Sequence, residues 1–80
     1  MLSKLKTNNK VVGAKQVKRA LNSKEVEAVF IAKDAESKIT DEIVKICNDK
    51  QVQVIYIDSM KELGNACGID VKAATAALLK

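Results

Sequence analysis

The chain has no histidine, no proline, three glycines, two cysteines and two aromatic residues (one Phe, one Tyr) in 80 positions. Each shortage removes a class of chemistry. The usual zinc sites need Cys or His in close pairs, whereas Cys47 and Cys67 lie far apart and no histidine can complete a set. The same lack leaves a cysteine nucleophile without its ordinary base. A single Phe and a single Tyr make no platform for stacking unpaired bases, and they leave the core to aliphatic residues. Without proline or a low-complexity stretch nothing marks a linker, so one domain over residues 1–80 is expected. The longest apolar run is residues 28–32, far short of the roughly 20 residues that a membrane span requires. The N-terminal MLSKLKTNNK has no apolar centre, so no secretory leader and no membrane partner are expected. Two reduced thiols in a cytoplasmic protein follow as the expectation, with a disulfide between them left open.

Scarce glycine bears on the stretch LGNACGIDV (63–71), which holds two of the three. A phosphate-gripping loop needs glycine after a strand and before a helix, so that backbone N–H groups face the phosphate. Gly64 and Gly68 fall inside and after a helical pattern instead. Only Gly13 stands between a strand and a helix, and one glycine is a weak signal. Asp41 and Glu42 are paired carboxylates, but at a helix start, where the dipole accounts for them. No catalytic constellation, cofactor site or metal site is expected, and the chain does not read as an enzyme.

Hydrophobic residues make up 48% of the chain and charged ones 30%, enough for a packed core under a soluble surface. KVVG (10–13) reads as a strand ended by glycine, and AKQVKRALN (14–22) as a helix with Ala14, Val17 and Leu21 on one stripe. VEAVFIA (26–32) reads as a strand buried on both faces. ITDEIVKICNDK (39–50) reads as a helix. Thr40 is its expected N-cap, Asp41 and Glu42 stand in the first turn, Ile39 and Val44 form a hydrophobic staple, and Ile43, Ile46 and Cys47 are buried. VQVIYI (52–57) is a third strand. SMKELGNACG (59–68) is a helix opened by a Ser59–Glu62 capping box and closed by Gly68 in the left-handed C′ position. AATAALL (73–79) is the last strand, and a short helix in LSKLKT can precede the first. Strand and helix alternate throughout, which gives an α/β sandwich with a central sheet covered on both faces.

The net charge of +4 is unevenly placed. Residues 1–24 carry seven bases (Lys4, Lys6, Lys10, Lys15, Lys18, Arg19, Lys24) and no acid, while the remainder carries seven bases against ten acids. Nucleic acid is the commonest partner of such an end, and a solvated lysine face is the plain alternative. On the helix after Gly13, Lys15 and Arg19 share a face and Gln16 is adjacent. Arg and Lys can pair with the major-groove edge of guanine, and Gln both donates and accepts.

VVGAKQVKRAL, VFIAKDAE and IDSMKELGNACGIDVKAATAAL together resemble the L-seven-Ae family of ribosomal proteins, and in particular its small bacterial members. The likeness runs from Lys10 to Leu79, and LGxACG followed by IDV is its most specific part. The resemblance implies a three-layer α/β/α sandwich with a mixed four-stranded central sheet. It implies an RNA-binding protein that recognises kink-turn RNA, with tandem sheared G·A pairs and a protruding nucleotide, in association with the ribosome. Where the family reads guanines with Asn, Glu and, three residues on, Lys, this chain has Lys15, Gln16 and Arg19. Gly13 and Lys18 belong to the same element. Gly68, Ile69, Asp70 and Val71 match the loop that closes over the turned-out nucleotide, with Ile69 and Val71 pressing on the base and Asp70 on the opposite side of an extended chain. Gly64 and Gly68 would be small so that RNA backbone can approach. Lys33 and Glu36 match positions lining the same pocket, and Met60 stands where some members have lysine. A monomer bound to RNA is the expected state. The alternative is a module that docks on the ribosome or a protein through its basic end without reading a kink.

Overall fold

Strand β2 (Val26–Ala32) is buried from both sides, as its run of apolar residues requires. Ala28, Phe30 and Ala32 face one layer, while Val26, Val29 and Ile31 face the other. The pairing slips between Val26 and Ala28, which lets Val26 join the face of Val29 although the two are an odd number of residues apart. The computed structural model describes residues 9–23 and 26–80. The short helix suggested in LSKLKT, and with it Lys4, Lys6 and Lys24, lies outside the described residues.

The other strands are β1 (Lys10–Val12), β3 (Gln53–Ile57) and β4 (Thr75–Leu79). Their order is β1-β4-β2-β3. β4 runs antiparallel to both β1 and β2, and β2 runs parallel to β3. The sheet is therefore mixed. Helices α1 (Ala14–Ser23) and α2 (Ser37–Lys50) cover one face, packing Val17, Ala20, Leu21, Ile43 and Cys47 against Val29, Ile31 and Ala77. Helix α3 (Met60–Ala66) covers the other, with Leu63 and the following Cys67 against Phe30, Ala76 and Leu78. This is the three-layer sandwich expected. Among the described residues no helix is long and apolar enough to cross a membrane.

Helix α2 corrects one expectation. It starts at Ser37, with Glu36 as an N-cap that makes no side-chain hydrogen bond. Thr40 is not the cap: it is buried in the first turn, and its hydroxyl donates back to the carbonyls of Glu36 and Ser37. A buried hydroxyl must find an acceptor, and within a helix the carbonyls three and four residues back are the ones in reach. Asp41 and Glu42 then fall beyond the first turn, and Ile39 and Val44 both lie inside the helix on the α1–α2 side of the core rather than bracketing its start.

At α3 one half of the expected capping box is formed. Ser59 is extended and its hydroxyl accepts the Glu62 N–H at 3.1 Å. The far end closes in a Schellman turn. The Gly68 N–H donates to the Asn65 carbonyl, the Ile69 N–H donates to the Gly64 carbonyl, and Gly68 takes φ +76°. Gly64 is a correction: its smallness serves the chain itself. It is buried, and a Cβ there would run into the carbonyl of Val71, which rests on the helix at that point.

Cys47 and Cys67 are free, buried, and in the clusters on opposite faces of the sheet, so no disulfide joins them. Burial pushes both thiols above their ordinary value, and the positive charge of Lys10 partly offsets this at Cys67. A raised folded-state value favours the neutral thiol. The stability it contributes is complete below pH 9.0, the ordinary value, and is lost as pH rises through the folded-state values. At neutral pH both thiols should therefore resist a water-soluble disulfide reagent in the folded protein and react together in urea; fast labelling of either in the folded state would contradict this packing. A second expectation concerns Gly64→Ala. In an open helix the change gains about 1 kcal/mol, whereas here the clash with the Val71 backbone should cost about 1–3 kcal/mol, readable as a lower urea midpoint.

Candidate nucleic-acid interface

The strand directions bring the sequence-derived residues to one end of the sheet. β1, β2 and β3 all finish there, and β4 begins there. The start of β4 joins them. The Thr75 carbonyl accepts the Gly13 N–H at 2.9 Å, and the Ala74 carbonyl accepts the Ala32 N–H at 2.9 Å. The buried Thr75 hydroxyl donates to the Phe30 carbonyl at 2.8 Å.

Gly13 turns β1 into α1 with φ +100°, a conformation that favours glycine; a Cβ there would meet nothing, so the requirement is conformational rather than one of space. Its carbonyl accepts the Val17 N–H and opens the helix. Having no side chain, Gly13 caps none of the first N–H groups, those of Ala14, Lys15 and Gln16, which lack partners within a helix. No acid stands in the first turn. The helix start is thus open, and the dipole there favours an anion. Lys15, Gln16 and Arg19 are exposed beside it. Lys18 is not part of that group. It leans toward α2, where its Nζ meets Glu42 Oε2 at 2.9 Å.

The second group is the turn after β2. The Lys33 N–H donates to the Ile57 carbonyl, and the Ala35 N–H to the Ala32 carbonyl. Lys33 Nζ lies 3.3 Å from Asp58 Oδ1, in an exposed pair of the kind worth little in water. Glu36 is exposed at the start of α2. Asp34, which sequence reasoning passed over, anchors this turn: its Oδ1 accepts the Met60 N–H at 2.8 Å and so adds a second cap to α3. The signal was a lone acid after a strand, with its partner 26 residues away. Thr75 was also missed, although it is the one hydroxyl in AATAALL.

The third group is the loop between α3 and β4. The expected geometry holds only in part. The chain bends at Asp70 and Val71 instead of running extended. Ile69 is half-buried against the cluster that contains Leu63, while Val71 is 69% exposed. The Schellman turn accounts for the difference, since the residue after its glycine packs back onto the helix. Of the two aliphatics, only Val71 is free to press fully on a ligand. Asp70 and Gly68 are exposed.

An α/β sandwich with an uncapped basic helix start and two loops gathered at one sheet end defines a class of small binding domain. The family model described as ribosomal protein L7Ae/L30e/S12e/Gadd45 family matches residues 1–80, and the chain belongs to that family. It is 53% identical over 70 residues to RNA-binding protein BH0128 of Halalkalibacterium halodurans, covering 88% of this chain and 85% of that one. It is 43% identical over 70 residues to RNA-binding protein YbxF of Geobacillus stearothermophilus, again covering 88% and 85%. Among solved structures, the Giardia lamblia 15.5kD RNA binding protein matches with a TM-score of 0.90 and 30% identity, over 99% of this chain and 70% of that one.

The split between Ile69 and Val71 is testable by melting curves. Ile69→Ser should lower stability by about 0.8–1.5 kcal/mol, half the value of a fully buried side chain. Val71→Ser should leave the melting temperature close to that of the parent chain. Equal losses would mean that both residues are core.

Proposed function

We infer that the chain binds RNA and that its target is a kink-turn, with tandem sheared G·A pairs and a protruding nucleotide, in a ribosome-associated setting. The observation that carries this reading is the open, acid-free start of α1 with Lys15, Gln16 and Arg19 exposed around it. Family membership and relatives named as RNA-binding proteins support it.

Each part has a physical role. The guanidinium of Arg19 presents a planar fork suited to the O6 and N7 acceptors of one guanine. Gln16 donates and accepts at a neighbouring base. The first N–H groups of α1 and the Lys15 ammonium hold phosphate, and Lys33 can exchange its exposed partner Asp58 for another phosphate. Glu36 offers an acceptor to an exocyclic amino group. Val71 desolvates the face of the protruding base, with Ile69 supporting it from below and Asp70 beside it. Gly13 and Gly68 hold the two turns that present these groups.

The test is a binding titration with kink-turn RNA and with a control whose G·A pairs are changed. The intact RNA should bind more tightly, and Arg19→Ala should lose about 1–3 kcal/mol on it, the value of one good bidentate base contact. Lys45→Ala on α2 should lose little. Equal affinity for both RNAs would leave only the docking alternative.

A further inference from the structure

The loop that carries Val71 has a second side. A cavity of about 340 Å³ opens between it and the outer surface of α3, lined by Lys61, Asn65, Asp70, Val71 and Lys72. Three backbone features build it. The Schellman turn reverses the chain, the backbone of Val71 settles on Gly64, and the Ala73 N–H donates to the Met60 carbonyl, so the segment runs back along the helix. Lys61 and Asn65 are one helical turn apart and share the face that the segment leaves open. Lys72 comes from the segment itself. Both lysines are exposed, and among the described residues neither forms an ion pair.

We propose that this groove holds one unpaired nucleotide of the RNA strand leaving the site at the end of the sheet. The proposal rests on the RNA reading above and extends it to Lys61, Asn65 and Lys72, which lie outside the set found from sequence. Lys61 and Lys72 bracket the cavity and hold the phosphate. Asp70 accepts from a ribose 2′-hydroxyl or an exocyclic amino group, and Asn65 both donates and accepts. The volume suits a ligand of nucleotide size, being at the lower end of small-molecule pockets. Continuity favours the same strand. Three residues of chain separate Val71 from Thr75, whose carbonyl holds Gly13, so the loop that walls the groove lies within about 20 Å of the helix start. The contact reads no base pair and therefore adds affinity without selectivity for the kink.

The experiment measures affinity across a salt series for the parent chain, for Lys61→Gln with Lys72→Gln, and for Lys45→Gln with Lys50→Gln on α2. Each is measured on kink-turn RNA carrying a single-stranded extension and on its G·A-disrupted control. All four lysines are exposed, and equal melting temperatures will confirm that the variants fold. The groove variant should flatten the fall of log affinity with log salt by about 0.7, the value of one neutralised single-strand phosphate. Its ratio of affinities for the two RNAs should equal that of the parent. An unchanged slope, or an equal flattening in the α2 variant, would overturn the groove. A parent chain that binds both RNAs equally would instead count against kink recognition, and the slope comparison would still decide the groove.

Discussion

The candidate binding end hangs on Ala74, just before β4, and Thr75, its first residue. The Ala74 and Thr75 carbonyls receive the N–H groups that end β2 and β1, and the Thr75 hydroxyl returns a hydrogen bond to β2. These contacts sit in the interior of the sheet, where an unmade hydrogen bond carries the full cost of a desolvated polar group. Three segments of the chain are thereby held in one place. One becomes the start of α1, one the Lys33–Glu36 turn, and one the loop from Gly68. The rigid part of the molecule is backbone, and the variable part is the set of side chains mounted on it.

The two core layers are built from small and aliphatic residues around a single large one, Phe30. Ala28, Ala32, Ala76 and Ala77 are all fully or almost fully buried. Their short side chains bring the helices close to the sheet, and close packing is what makes a change of one methyl group felt. The same economy appears at Gly64, where a helix takes the backbone of a loop directly against its axis. The loop is therefore positioned by contact along its length rather than at its ends alone, and Val71 is presented outward as a consequence.

Much of this was legible because the decisive signals are local. Apolar residues filling five neighbouring positions of β2, Ser59 three residues before Glu62, and Gly68 after the last helical residue each state a physical requirement within a few positions. Where the structure departs, the cause is tertiary. Thr40 has the side chain of a good cap, but the turn after β2 delivers the chain into helix four residues earlier, and the hydroxyl is buried. Asp34 looks like a turn residue until α3 arrives beside it. Ile69 and Val71 look equivalent in alternation, and only the Schellman turn separates them. Lys18 looks like its neighbours on α1 until α2 brings Glu42 within reach. The groove beside α3 needed both the bend at Asp70 and the glycine beneath Val71, and neither can be read from spacing.

The position of β4 has a consequence for how the protein comes into being. It is the last strand in the sequence and an interior strand of the sheet, with β1 on one side and β2 on the other. During synthesis, β2, α2 and β3 can associate as soon as they are made, because their pairing is between neighbours in the chain. β1 has no strand partner among the described residues until residues 75–79 follow. Such distant pairing is the slow kind, since the chain must close a long loop before any contact stabilises it. The end of the molecule that would meet RNA is therefore assembled last and all at once. A nascent chain that has not yet reached Thr75 carries the basic residues but not the surface.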